Sequence, residues 1–216
     1  MQSLSEENYL KAICLISRFG KNEVTTNELA DEMKTKPSSV TEMLKRLAKK
    51  NLVKYEKYQG VTLTSSGNKI ALTIVRKHRL WEYFLVEKLG FTWDQVHEVA
   101  EQLEHIQSSS LINRLDKFLD YPRFDPHGDP IPGENGNFHL GSFITLNELK
   151  TGNSAFVMGV KNHSPEFLQY LSKIKIKPGV TVKLLKREQF DFSIIIMIEN
   201  KKHTLSKEVA MNVLIK

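Results

Sequence analysis

The hydrophobic positions in the first 50 residues repeat with the period of short amphipathic helices. Between Asn8 and Phe19, apolar residues recur at the three- and four-residue spacing of a helix with one buried face. A second helix is predicted after the capping sequence that begins at Thr25, and a third, with a basic outer face, from Val40 to Lys50. Helix, short turn and basic helix is the order of a helix-turn-helix, whose second helix enters the major groove of DNA.

Residues 52–64 follow the basic helix directly and are rich in β-forming side chains, with a turn at Gln59-Gly60. A hairpin in this position is a wing, so a winged helix-turn-helix is predicted. The alternative for its basic residues is a solvated surface without a partner. If DNA is the partner, the residues expected to contact it are Lys45, Arg46, Lys54 and Lys57 at phosphates, and Ser38, Ser39, Thr41 and Glu42, with Lys36, at the start of the recognition helix.

The next apolar pattern predicts an all-helical unit. A long helix begins at Ser65 or Ser66 and runs to about Leu89, a second spans about residues 93–107, and a third about residues 110–119. Because a helix-turn-helix protein that binds two half-sites has to dimerise, this unit is the predicted dimer surface.

The last third of the chain changes character. Residues 121–144 hold most of the prolines and several glycines and are predicted to form a linker. Short β-rich runs then surround one helix, which begins after Ser164. The predicted fold is mainly α with β. It has a winged helix-turn-helix (1–72), a helical metal-binding and dimerisation domain (73–122), a linker (123–143) and a small β-barrel of the Src-homology type (144–216).

The composition of the chain indicates a cellular location and a class of binding partner. The single cysteine, Cys14, excludes a disulfide framework and favours a reducing cytoplasm, and no segment predicts secretion or a membrane span. The net charge of +6 suits a polyanionic partner. Residues 1–75 carry 12 Lys and Arg against 8 Asp and Glu, whereas residues 76–120 carry 6 against 8. The acidic middle segment is therefore expected to have a different function from the basic segments on either side of it.

That middle segment contains a set of metal-binding side chains. His97, Glu101, Glu104 and His105 share one face of the predicted helix, within an arc of about 100°. His78 and Glu82 form another pair four residues apart on the preceding helix. Imidazole with carboxylate suits Mn²⁺, Fe²⁺, Co²⁺ or Zn²⁺. The alternative is a solvated acidic face paired with Lys or Arg, but the chain has neither residue between Lys88 and Arg114.

These motifs together resemble the diphtheria toxin repressor family of metal-dependent regulators, including its manganese transport regulator branch. The resemblance covers nearly the whole chain. It is carried by Pro37-Ser38-Ser39-Val40-Thr41, Tyr55-Glu56-Lys57-Tyr58, Leu63-Thr64-Ser65-Ser66-Gly67, Arg76-Lys77-His78-Arg79-Leu80, Glu82, Val96-His97-Glu98, Glu101-Gln102-Leu103-Glu104-His105 and Gly128-Asp129-Pro130-Ile131-Pro132-Gly133.

The resemblance implies two neighbouring metal sites. Glu101, Glu104 and His105 match a primary site that a first-helix residue completes, here Asn8 or, as a substitute, Glu7. The second site corresponds to His78, Glu82 and His97, with His163 and Glu166 near the ligands that the C-terminal domain supplies. Glu101 stands where iron-responsive members carry a cysteine, which favours Mn²⁺ with Fe²⁺ next and leaves Zn²⁺ or Co²⁺ as ions bound in vitro. Lys11 departs from the manganese branch, which is acidic there.

The function expected from this resemblance is a metal-dependent transcriptional regulator, in the repressor mode, of metal-ion homeostasis genes. It would bind a palindromic DNA operator as a homodimer once Mn²⁺ or Fe²⁺ is bound. An alternative is a winged-helix regulator of an organic ligand, with metal structural or absent. An enzyme is not expected, because the chain contains neither H-E-x-x-H nor a nucleophile constellation.

Overall fold

The computed structural model describes residues 2–56, 59–137 and 141–216. The chain folds into two compact units, each assembled from three segments. The first unit comprises Met1–His78, Gln102–Asn113 and Pro132–Asn137, and the second comprises Arg79–Glu101, Arg114–Ile131 and Phe138–Lys216.

The first unit opens with the three predicted helices, α1 (Leu4–Ile16), α2 (Thr26–Glu32) and α3 (Pro37–Lys49). Helix α1 begins four residues before the predicted start because Ser3 and Glu6 form a capping box there. Thr25 and Glu28 cap α2 in the same way. The helices pack around a common core that includes Leu10, Ile13, Leu29, Val40, Leu44 and Leu47. The predicted helix-turn-helix is therefore present.

The predicted wing is a two-stranded antiparallel hairpin of β1 (Val53–Glu56) and β2 (Gly60–Leu63). A bridge between Val24 and Val61 attaches it to the segment that precedes α2. Gly67, in the first turn of the next helix, approaches the Leu52 backbone so closely that a Cβ at this position would overlap its carbonyl oxygen. The hairpin is therefore packed against the body of the first unit.

Three helices follow: α4 (Ser65–Leu89), α5 (Val96–Leu103) and α6 (Ser109–Phe118). The prediction of a helix over residues 93–107 was wrong at both ends, because α5 ends at Leu103 and the two following residues form a turn. The Glu104 side chain is fully buried and contacts Lys11, which is 93 positions away in the sequence. Such tertiary contacts outweigh the weak local preference of these residues for a helix. Glu104 and His105 therefore do not share the helical face of His97 and Glu101.

The second unit contains a six-stranded sheet in the order β3-β8-β4-β5-β6-β7. The predicted strands correspond to β4 (Ser154–Val160), β5 (Thr181–Arg187) and β6 (Ile194–Ile198), and the predicted helix to α7 (Pro165–Lys173). The pattern missed three short strands and two short helical elements: β3 (Ile144–Thr145), β7 (Lys201–Leu205), β8 (Val213–Ile215), a 3-10 turn (Leu146–Glu148) and α8 (Lys207–Asn212). Val157, Val182 and Ile196 are among the side chains that fill its core.

Residues 121–131 form an ordered loop within the second unit. Phe124 and Pro130 form an isolated antiparallel bridge, and the side chains of Asp125, His127 and Ile131 are buried. The domain boundaries predicted from the sequence remain predictions.

Within the described ranges, no helix is both long enough and apolar enough to cross a membrane.

Candidate functional site

Helix α3 has the surface expected of a recognition helix. Its apolar residues Val40, Leu44 and Leu47 are buried, and the Thr41 hydroxyl donates to the Pro37 carbonyl at 3.0 Å. The other residues predicted to contact DNA on or beside this helix are exposed: Lys36, Ser38, Ser39, Glu42, Lys45 and Arg46. The outer face therefore presents hydroxyl and cationic groups, the chemistry that reaches base edges and phosphates.

The wing and the end of α3 extend this positive surface. Lys54 is exposed on β1, whereas Lys57 lies outside the described residues. Lys50 Nζ lies 2.7 Å from the buried Glu6 carboxylate of α1. Burial alone would raise the pKa of Glu6, but the hydrogen bond and charge of Lys50 lower it. This ion pair attaches the last turn of α3 to α1.

Glu104 is the most enclosed carboxylate of the first unit. Its side chain is 0% exposed, and Lys11 Nζ lies 2.8 Å from Oε1 and 2.9 Å from Oε2, of which only the second contact has hydrogen-bond geometry. His78 Nδ1 lies 2.5 Å from Oε2. Burial would raise the pKa of Glu104, but the hydrogen bonds and charges of His78 and Lys11 lower it. The carboxylate is therefore ionised, and positive groups on α1 and α4 compensate its charge.

The neighbouring His105 also contacts α1. Its Nδ1 lies 2.7 Å from Glu7 Oε2, and Gln107 Nε2 donates to Glu7 Oε1 at 2.8 Å. Asn8 follows Glu7 on α1, and its buried side-chain oxygen Oδ1 has no hydrogen-bond partner among the described residues. A buried carbonyl oxygen without a donor is costly unless something else binds it. Asn8, Glu104 and His105 thus offer the oxygen and nitrogen ligands that suit Mn²⁺ or Fe²⁺.

In the second unit, Glu82 of α4 is the central carboxylate. It is 2% exposed, with Oε1 3.4 Å from His97 Nδ1 and Oε2 3.6 Å from His127 Nδ1. His97 is exposed, and its Nε2 lies 3.7 Å from Glu101. Burial would lower the pKa of His127, but its hydrogen bond with Glu82 and the charges of Asp125 and Glu82 raise it to about 9. This site therefore attracts positive charge.

The two metal ligands predicted in the C-terminal part of the chain, His163 and Glu166, lie in surroundings that differ from each other. His163 stacks on His127 with ring centroids 4.9 Å apart and planes 30° apart. Its Nε2 lies 3.4 Å from the Val160 carbonyl. Glu166 is exposed in the first turn of α7. His163 is thus close to the Glu82 cluster through the His127 ring, and assignment of Glu166 to a metal site remains a prediction.

Sequence patterns missed several contacts of these sites. His127 lies in a Pro- and Gly-rich stretch that predicts a linker, and only its residue type marks it as a possible ligand. Lys11 and Glu104 are 93 positions apart, and Glu7 and His105 are 98 apart. Helical spacing gives no information about pairs that far apart. The one signal in the sequence was the presence of Glu7 and Lys11 on the face of α1 that carries Asn8, because charged residues on a helix face indicate charged partners.

Three family models match consecutive parts of the chain. Residues 1–61 match "Iron dependent repressor, N-terminal DNA binding domain", and residues 64–133 match "Iron dependent repressor, metal binding and dimerisation domain". Residues 144–216 match "FeoA domain". Together these matches cover most of the chain.

Individual relatives agree with these matches. An uncharacterized HTH-type transcriptional regulator of Methanocaldococcus jannaschii is 40% identical over 118 residues, 55% of this chain and 94% of that protein. The HTH-type transcriptional regulator MntR of Geobacillus kaustophilus is 32% identical over 121 residues, 56% of this chain and 84% of that protein. A solved manganese-dependent transcriptional repressor in complex with manganese superposes with a TM-score of 0.84 at 34% identity, covering 97% of this chain and 98% of that one.

Replacing Lys11 by methionine should destabilise the metal-free protein. Lys11→Met keeps the apolar stem but removes a charge that compensates a fully buried carboxylate, and breaking such a pair costs about 3 kcal/mol. Denaturant unfolding in excess chelator measures this loss, and added Mn²⁺ should recover part of it. The control is Lys175→Met, which breaks the solvent-exposed pair with Glu199 and should change the stability little. Equal losses in the two variants would contradict this account of Glu104.

Alanine at Lys45 or Lys54 should weaken DNA binding without changing the preferred sequence. Each exposed side chain is expected to neutralise one phosphate, so each substitution should reduce the slope of log affinity against log salt by about one. Binding titrations at several salt concentrations measure the slope. Lys175→Ala, in the second unit, is the control, and a slope unchanged in Lys45→Ala would remove this residue from the interface.

Proposed function

The chain belongs to the diphtheria toxin repressor family of metal-dependent transcriptional regulators, and from this membership we propose that it represses metal-ion homeostasis genes. In this proposal a homodimer binds a palindromic operator in the cytoplasm when Mn²⁺ or Fe²⁺ is bound. The role is regulatory and involves no turnover of an organic substrate.

The observation that carries the proposal is the attachment of α1 to the segment around Glu104. Helix α1 forms part of the helix-turn-helix core through Leu10 and Ile13, and its other side contacts Glu104 through Lys11 and His105 through Glu7. A group bound between α1 and this segment would therefore fix the helix against which the recognition helix is packed. A ligand that binds one arrangement better than another shifts the population toward it.

We assign the primary metal site to Asn8, Glu104 and His105, with Glu101 as the further ligand that the family pattern suggests. The unpartnered Asn8 oxygen and the buried Glu104 support this assignment. When bound, the ion supplies positive charge and directional bonds to oxygen and nitrogen. Lys11 and His78 hold Glu104 ionised, as a ligand must be, and both would have to share or yield its oxygens.

The second site is proposed at His78, Glu82 and His97, with His163 and Glu166 as contributions from the C-terminal part. His78 lies one helical turn before Glu82 on α4, and His97 Nδ1 faces the Glu82 carboxylate. Histidine and carboxylate ligands again suit Mn²⁺, Fe²⁺, Co²⁺ or Zn²⁺. Two ions per chain are therefore expected at saturation.

Exposed apolar side chains support the proposed homodimer. Leu89 is 57% exposed, Phe118 64% and Tyr121 61%, and all three lie at the ends of α4 and α6 or just beyond. Large apolar residues that remain exposed in one region are typical of a surface that is covered in the assembly. A two-fold dimer would present two recognition helices, as a palindrome requires.

The substitution Glu104→Gln should abolish the dependence of DNA binding on metal. Glutamine is nearly isosteric but neutral, so it cannot complete the primary site or pair with Lys11. Binding of the wild-type protein to its own upstream DNA should tighten by about 5–150-fold on adding Mn²⁺, or Fe²⁺ without oxygen. The variant should show no such gain, and the exposed Glu208→Gln control should behave as wild type. Wild-type binding that ignores both metals and excess chelator would contradict the proposed function.

A further inference from the structure

Lys11 lies on the side of α1 that faces the proposed primary metal site. It follows Glu7 by four residues and Asn8 by three, so the three side chains share one face of the helix. Glu7 contacts His105, and Lys11 contacts Glu104. The face of α1 that supplies a proposed metal ligand therefore also supplies a cation to the same segment.

The ammonium group of Lys11 compensates the buried carboxylate of Glu104. Its Nζ lies 2.8 Å from Oε1 and 2.9 Å from Oε2, and the two side chains are 11% and 0% exposed. Two opposite charges withdrawn from water depend on each other, because either one alone would carry an uncompensated cost of burial. The metal-free chain therefore already holds a positive charge at the carboxylate that the proposed site would offer to an ion.

The Lys11 ammonium and a divalent ion would repel each other at this carboxylate. Oε1 of Glu104, which Lys11 contacts, also lies 3.8 Å from Nε2 of the proposed ligand His105. An ion bonded to Oε1 at about 2.0–2.2 Å would stand within roughly 5 Å of an ammonium that kept its own contact. Like charges at this separation repel strongly where water is excluded. Simultaneous occupation is therefore unfavourable.

The Lys11 side chain can leave the carboxylate while α1 stays in place. The methylene groups of a lysine can remain packed on the protein while its charged end reaches water. Helix α1 is also held by other contacts, namely Leu10 and Ile13 in the core and Glu7 at His105. An ion bound to Glu104 could therefore replace the ammonium without unfolding the first unit.

A second ion pair on α1 offers a comparison. Lys50 Nζ lies 2.7 Å from the buried Glu6 carboxylate, a contact of the same type on the same helix. The Lys50 side chain is 43% exposed, and Glu6 is not among the proposed metal ligands. Of these two pairs, the one between Lys11 and Glu104 places an ammonium on a carboxylate that an ion would need.

From these contacts we propose that Lys11 is an internal competitor of the primary metal ion. Its ammonium neutralises Glu104 in the metal-free chain, and an incoming divalent ion displaces it into water. The inference rests on the proposed function for the existence of the ion. Because the same ammonium has to leave whichever ion enters, Lys11 weakens the binding of different divalent ions by a similar factor. It therefore sets the metal concentration at which the chain responds.

The displacement can be observed directly on the wild-type, full-length chain. An amine-acylating reagent is applied with and without saturating Mn²⁺, and the modification of Lys11 is quantified by peptide mass spectrometry. The contact with Glu104 protects the amino group in the metal-free chain, so Lys11 should react several-fold faster once Mn²⁺ is bound. Lys175, whose side chain is 61% exposed, is the internal control and should react at the same rate in both states.

The affinity of the primary ion provides a second readout. Lys11→Met removes the competing charge and should tighten the binding of Mn²⁺ and Co²⁺ by a similar factor, roughly 10–100-fold. Competition with a fluorescent chelator measures both affinities. Lys50→Met is the matched control, because it breaks the other ion pair of α1 and should leave both affinities unchanged.

The outcomes separate this inference from the proposed function. A Lys11 that stays protected at saturating Mn²⁺ would overturn the displacement, and so would a Lys11→Met variant with unchanged or weaker metal affinity. The proposed function would survive either result. A wild-type chain that binds no ion would defeat the proposed function itself. If Lys11→Met fails to fold, Lys11→Gln, which is also neutral, replaces it and has to show the same gain in affinity.

Discussion

A carboxylate buried away from water needs a compensating positive charge, and the buried side chains of Glu104 and Glu82 show how the chain meets this requirement in each unit. Ionised side chains at such depth cost several kcal/mol without compensation. In the first unit, Lys11 and His78 provide it through direct contacts with Glu104. In the second unit, the imidazoles around Glu82 stand farther off. In both clusters the chain supplies positive charge itself, through Lys11 and His78 at Glu104 and through His127 at Glu82.

In the proposed function, this charge requirement also connects metal binding to DNA binding. Helix α1 has two faces with different partners, the helix-turn-helix core on one and Glu104 and His105 on the other. Whatever changes the positive charge at Glu104 therefore acts on the helix that supports the recognition helix. Lys11 gives Glu104 a positively charged partner. At the proposed primary site an incoming ion would therefore compete with this ammonium group.

Local patterns predicted the parts of the fold that local physics determines. The apolar spacing of α1 to α4 and the β-rich runs of β4 to β6 reflect burial of one face, so these elements were confirmed with shifts of a few residues at their ends. The end of α5 was predicted wrongly because Glu104 is held by Lys11, 93 positions away. Strand β7, with Lys201 and Lys202, lacks a hydrophobic signature. The contacts of His127 were not predicted, because they are made with Trp93 and Glu82, and sequence spacing gives no sign that these residues lie near His127.

The most direct test of the account is the affinity of the full-length chain for Mn²⁺, measured with and without its own upstream DNA. Coupling between two sites is reciprocal, so DNA must tighten metal binding by the same factor by which metal tightens DNA binding. Electron paramagnetic resonance of free Mn²⁺ gives the affinity in each of the two titrations. We expect the primary ion to bind about 5–150-fold more tightly in the presence of DNA. A metal affinity that DNA leaves unchanged would show that metal binding and DNA binding are not coupled through α1, which would contradict the proposed function.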